Sequence, residues 1–290
     1  MYGRDNKFLD ALTKLGQGYV AEIPVNTALW TSKPTLTSGQ PVKSEKRGRK
    51  RKTPRILRRR RACKVCNLVN HSSKFQEQTW QRYRLKDTDK GPEVWEVKWL
   101  RVWRKTADKL PSKQQTLLAA RSVRTDEIKY FLSNLVVGQS GVTVRRLLGI
   151  AFGRWAVEAC FRTAKEELGM DHFEVRGWGC IHRHYYLTGV SYLLCSRIRQ
   201  KLDPQQSGEL TVEQVRDSLN TYLTYRHLPP EYRDQAYEKA LSDQSYYQNR
   251  NAQAKVSHTQ TRIRFYEKLG IDVHTIKSCI PSLPPPDPMI

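Results

Sequence analysis

The chain has 290 residues, 38% of them hydrophobic, which allows one large or two ordinary domains with a real core and does not demand disorder throughout. Lys plus Arg outnumber Asp plus Glu by 51 to 28, a formal net charge of +23. That excess exceeds what solubility needs and calls for a polyanionic partner, nucleic acid first, because neutralising phosphates releases condensed counterions. No stretch approaches the roughly 20 apolar residues of a membrane span. The start, MYGRDNKFLD, has neither an apolar signal region nor a cleavage site, so the expectation is a cytoplasmic protein with no membrane partner. Six cysteines, at 63, 66, 160, 180, 195 and 279, are too sparse for a disulfide scaffold and read as reduced thiols.

Phe8, Leu9, Leu12 and Leu15 recur at helical spacing and stop at Gly16 and Gly18, which predicts a short amphipathic helix with a glycine end. Asp5 falls at its start, where a capping role is the usual one, and Asp10 falls within it. A strand is expected in GYVAEIPVN, then a Ser/Thr/Pro/Gly loop from Thr31 to Gln40. The run KSEKRGRKRKTPRILRRRR sets twelve cations against the single acid Glu45, and its self-repulsion keeps a free segment extended. From Trp80 the pattern is β-like: WQRYRL, a turn at DTDKG, then VWEVKWLRVW, with Trp95, Val97, Trp99 and Trp103 alternating with charges. TLLAARSV and IKYFLSNL supply two more strands. One long helix is expected from about Thr143 to Gly169 and another from His182 to Leu202. Thr211 and Gln214 form a capping box for a further helix, and Pro229 and Pro230 separate it from a polar helix reaching about Leu269. The tail PSLPPPDPM is Pro-rich.

The segment GIAFGRWAVEACFRTAKEELGMDH places Arg154, Glu158 and Lys165 at relative positions 0, 4 and 11. At about 100° per residue they fall at roughly 0°, 40° and 20° around a helix axis, on one face with Phe161. By itself this is an ion-pair ladder worth a few tenths of a kcal/mol. The spacing, however, resembles the Tyr-Arg-Glu-Lys signature of insertion-sequence transposases of the IS-four type superfamily: Arg154, Glu158 and Lys165 match its last three members, and Ala151 stands where the signature has Tyr. The likeness continues through EELGMDHFEVRGW and HRHYYL, and upstream through YGRDNKFLDAL, GYVAEIPVN, KGPEVWEV and YFLSNL.

The resemblance implies an α/β (α+β) chain: a partial ribonuclease-H-like transposase core, a β-rich basic insertion and a helical C-terminal region. It divides the chain into a core remnant (1–30), a basic loop (31–79), a β-rich insertion (80–137), core helices carrying the glutamate (138–202), a helical region (203–278) and a flexible tail (279–290). It further implies an Asp-Asp-Glu set holding Mg²⁺ or Mn²⁺ for phosphodiester cleavage and strand transfer. Glu158 would be the glutamate, catalytic and metal-binding; Arg154 and Lys165 would steady DNA phosphates. Both aspartates would precede Tyr2, so the expectation is a C-terminal part that is inactive alone, with an exposed strand edge and an uncovered apolar helix side. The implied partners are the DNA of transposon ends and target, with a homodimer on that DNA, in a bacterial cytoplasm associated with the nucleoid.

Arg47, Arg49, Lys50, Arg51, Lys52, Arg58, Arg59, Arg60 and Arg61 read as a loop tracking the DNA backbone without reading bases. Cys63 and Cys66, with His71 following, are a weak zinc signal, because a tetrahedral site needs four ligands and no second pair lies nearby. His182 and His184, two apart, point to different sides of a helix and make no metal pair. The tryptophans fit a buried sheet face better than base stacking. Two other functions stay open: a non-catalytic DNA-binding remnant, and a basic RNA-binding or structural protein.

Overall fold

The computed structural model describes residues 2–37, 54–57, 61–88, 90–202, 210–276 and 278–279. It is an α+β protein dividing into two compact units, one of residues 1–86, 93–153 and 273–280, the other of residues 87–92, 154–272 and 281–290.

The first unit begins with a 3-10 turn (Tyr2–Arg4) and helix α1 (Asn6–Lys14). Asp5 caps α1 as its position predicts, its side chain accepting from the Lys7 and Phe8 amides. The helix ends before Gly16, whose φ of 71° is the left-handed conformation that favours glycine. Then follow β1 (Val20–Glu22), β2 (Ala28–Trp30), β3 (Leu36–Thr37), β4 (Arg55–Ile56), β5 (Cys63–Lys64), α2 (Val65–His71) and α3 (Ser73–Gln76). The expected Ser/Thr/Pro loop therefore holds a strand, β3, which pairs with β4 in a two-residue ladder. Strands β6 (Gln81–Thr88), β7 (Gly91–Lys105), β8 (Pro111–Ser122) and β9 (Ile128–Ser133) lead into α4 (Val144–Gly153).

The main sheet runs β1-β9-β8-β7-β2-β5, with β6 also on β7. Its registers between β1 and β9, β9 and β8, β8 and β7, β7 and β2, and β2 and β5 are all antiparallel. Strands from 1–30 and from 80–137 thus share one sheet. β1 lies at its end, paired along β9 on one side.

The sheet is covered on both faces. Leu117, Leu118, Ala119 and Ala120 on β8 are all fully buried although neighbours point to opposite sides. Leu118 and Ala120, with Trp95, Val97 and Phe131, pack under Leu147 and Leu148 of α4. Phe152 closes this side against Trp95 at 4.8 Å and Phe131 at 5.2 Å between ring centroids. Leu117 and Ala119, with Leu29, Val102, Tyr130 and Leu132, pack under Val65, Leu68 and Val69 of α2 and Phe75 of α3. Residues 63–76, within the stretch expected to be a basic linker, thus form the lid of a core. Trp95 is buried as its alternation predicts, and Trp99 packs against the same cluster. Trp80 is occupied by two cations over its ring, Lys98 at 5.0 Å and Arg121 at 4.7 Å.

The second unit holds α5 (Trp155–Leu168), α6 (Trp178–Leu202), α7 (Val212–His227) and α8 (Pro230–Lys268). The capping box on α7 forms as predicted: Thr211 Oγ1 accepts from the Gln214 amide and Gln214 Oε1 from the Thr211 amide. Cys195, Leu210, Val212 and Val215 make a small core with Leu168, Ile198 and Leu219. None of the helices among the described residues is long and apolar enough to cross a membrane. All six cysteines are free, and burial pushes the Cys279 thiol up to about 11.

Helix α6 leaves an apolar stripe open: Tyr186, Leu187, Val190 and Leu194, at helical spacing, are between 53% and 72% exposed. The chain is therefore expected to bind a hydrophobic dye strongly, and Val190→Glu with Leu194→Lys to cut that fluorescence several-fold at unchanged far-ultraviolet circular dichroism. Equal fluorescence from the double variant would mean that the stripe is covered in solution.

Candidate nucleic-acid interface and metal-binding carboxylate

The expected single helix over Thr143 to Gly169 is two helices. It breaks at Arg154, which follows Gly153 and closes a tight turn by accepting from the Val157 amide at 3.0 Å. Glycine lowers helix propensity, and Gly149 and Gly153 lie in the turn before the break. Arg154 itself keeps helical dihedrals, φ −58° and ψ −29°, so the 0, 4, 11 geometry survives.

Arg154, Glu158, Phe161 and Lys165 are all exposed along one face of α5, as the spacing predicts. Arg154 Nη2 donates to Glu158 Oε1 at 2.8 Å, with both side chains more than half exposed. An ion pair this wet is worth only a few tenths of a kcal/mol, so it leaves both groups available to a charged ligand. Glu158 sits in the first turn of α5, where the helix dipole favours a carboxylate, and Lys165 in the last, where it favours a cation. The buried side of α5 carries Ala164.

The block after α5 fixes the end of that helix. Gly169 is left-handed at φ 64°, and a Cβ there would meet His172 Nδ1 at 2.9 Å. Its carbonyl oxygen lies 2.8 Å from His184 Nε2, and His184 packs edge-on against Phe173. His182 instead stacks on the exposed Trp178 at 4.2 Å, so the two histidines do point apart. Arg216 of α7 donates to the Glu167 carboxylate at 2.9 Å and carbonyl at 2.7 Å. Burial and the neighbouring Glu213 push the Glu167 carboxyl up, against the pull of Arg216.

Asp5 is engaged as a helix cap, and Asp10 binds Arg104 at 2.5 Å and the Ala107 amide at 3.0 Å. Among the described residues no three His, Cys, Asp or Glu side chains gather where they could hold one ion. Cys63 lies on β5 and Cys66 on α2, where its thiol donates to Asn67 Oδ1 at 3.6 Å. Of the basic loop, Arg61 is described and exposed; Arg47, Arg49, Lys50, Arg51, Lys52, Arg58, Arg59 and Arg60 lie outside the described residues. The buried Arg104 escaped sequence reasoning, because charged positions alternating with tryptophans on β7 suggest a solvent face that here is covered.

No protein-family model, no curated protein and no solved structure matches this chain.

Proposed function

We propose that the chain is the glutamate-bearing part of a DNA transposase with a ribonuclease-H-like core, which cleaves and joins DNA strands when an insertion sequence moves. The observation that carries this reading is the open face of α5, where Arg154, Glu158 and Lys165 keep the signature spacing with no buried partner. Glu158 is the third acid of the metal-binding set. With its two aspartates, such a set would hold two divalent ions that would supply activation of the attacking oxygen and stabilisation of the leaving one. The described residues supply a single carboxylate at this face and do not fit such ions alone, so the aspartates have to come from elsewhere and no step is assigned to the chain by itself. Arg154 suits bidentate contact with a phosphate and Lys165 a point-charge contact, and together they hold the strand beside Glu158.

The +23 charge supports the DNA-binding half of the reading. Affinity for duplex DNA is expected to be sequence-tolerant and to fall steeply with salt. Neutralising Arg58, Arg59, Arg60 and Arg61 should flatten the plot of log affinity against log salt by up to about one unit for each phosphate that is no longer neutralised. An unchanged slope would remove that loop from the interface. The non-catalytic alternative is favoured by Glu158 being the single carboxylate on the face of α5 that Arg154 and Lys165 share, and is separated by cleavage, not by binding.

A further inference from the structure

Away from α5, the first unit carries a cavity of about 430 Å³ lined by Arg4, Asn6, Asn26, Thr27, Arg104 and Lys105 among others. We propose that this cavity is a phosphate-binding site, and, resting on the DNA-binding reading above, that it takes a backbone phosphodiester. Arg104 anchors its floor. The side chain is only 2% exposed, and its guanidinium donates to Asp10 Oδ1 at 2.5 Å, Asn6 Oδ1 at 2.7 Å and the Lys105 carbonyl at 3.2 Å. Its Nε is buried with no acceptor.

The backbone of the wall is held in place, and its polar side chains are uncommitted. Arg4 ends the turn over Tyr2–Arg4, pinned because Gly3 passes so close to β1 that a Cβ would lie 2.0 Å from the Glu22 carbonyl oxygen. Asn26 and Thr27 form the β1–β2 turn, closed by the Thr27 amide on the Pro24 carbonyl at 3.0 Å and backed by the Val65 amide on the Thr27 carbonyl at 2.9 Å. Among the described residues the side chains of Arg4, Asn26, Thr27 and Lys105 have no hydrogen-bond or ion-pair partner in the fold.

Charge decides the ligand. Asp10 is engaged, one oxygen on Arg104 and the other on the Ala107 amide, and the Asp5 carboxylate caps α1. Among the described residues Arg4 and Lys105 make no ion pair, and Asn26 and Thr27 add neutral donors to the same lining. Two free cations and two neutral donors match a tetrahedral oxyanion, and the volume leaves room for part of its flanking sugars. Both a nucleic-acid phosphodiester and a free phosphate have this chemistry.

The test is a set of ¹H–¹⁵N correlation spectra of the full chain, titrated separately with inorganic phosphate against a chloride control of equal ionic strength and with a short DNA duplex. Both ligands are expected to shift the Asn26, Thr27 and Lys105 amides. Arg4→Ala with Lys105→Ala, at exposed positions, should remove the phosphate-induced shifts and weaken the duplex roughly tenfold at moderate salt. Lys14→Ala with Lys33→Ala, exposed cations outside the cavity, should leave the phosphate shifts intact. Shifts by phosphate but not by duplex at these amides would overturn the phosphodiester assignment and leave a free-phosphate site. Duplex binding that spares these amides would overturn the site and leave the DNA-binding reading standing. A double variant that still shifts with phosphate as the parent does would overturn the roles of Arg4 and Lys105.

Discussion

Replacing Asp10 by alanine is expected to destabilise the first unit by roughly 3 kcal/mol, the lower end of what breaking a buried ion pair costs. The lower end applies because Asp10 keeps 22% of its side-chain surface while Arg104 keeps 2%. The loss comes from the arginine left behind: its guanidinium, 2% exposed, would retain only the Asn6 and Lys105 oxygens as partners. It follows that Asp10→Leu combined with Arg104→Met should recover most of the loss, since removing both charges removes the stranded one. Urea unfolding followed by tryptophan fluorescence measures this, because Trp95, Trp99 and Trp103 lie on the strand that carries Arg104. A loss for Asp10→Ala below about 0.5 kcal/mol, the size of an exposed pair, would mean that Arg104 is hydrated in solution.

The same strand explains why some of the structure is legible in the sequence and some is not. Local signals read well: the Asp5 cap and Gly16 bound α1, Thr211 and Gln214 box the start of α7, and Pro229 and Pro230 part α7 from α8. Each depends on residues within one turn of each other. On β7 the alternation correctly turns Trp95 and Val97 toward a core. It also suggests that Lys98 and Arg104 face water, yet Lys98 lies under α3 and donates to the Phe75 carbonyl at 2.7 Å, and Arg104 is taken up by Asn6 and Asp10 of α1. A covered second face is a tertiary fact, and α2 is only seven residues long, so its Val65, Leu68, Val69 periodicity is too short to stand out beside the basic run. The break at Arg154 turns on two glycines, Gly149 and Gly153, at a junction of two periodic segments. At the candidate site, the shared face of Arg154, Glu158 and Lys165 follows from spacing alone, whereas the Arg4, Arg104 and Lys105 cavity joins segments about a hundred residues apart and has no linear signature.

The proposed catalytic role rests on Glu158 and carries the largest expected effect. The 290-residue chain should bind DNA without nicking it in Mg²⁺ or Mn²⁺, because one carboxylate does not hold two such ions in a phosphoryl-transfer geometry. If the proposed function holds, a form extended to include two aspartate-bearing strands of a ribonuclease-H-like core should cleave DNA bearing its own element's ends. In that form Arg154→Ala and Lys165→Ala should slow cleavage in part, since they position phosphates, and neither should abolish it. The decisive measurement is the cleavage rate of the extended protein with Glu158→Gln, alongside its affinity for the same DNA. A metal ligand is removed and the basic surface is untouched, so the expected result is cleavage below detection with affinity within about twofold of the parent. Cleavage at the parent rate would contradict the account and return Arg154, Glu158 and Lys165 to an exposed ion-pair ladder on a surface helix.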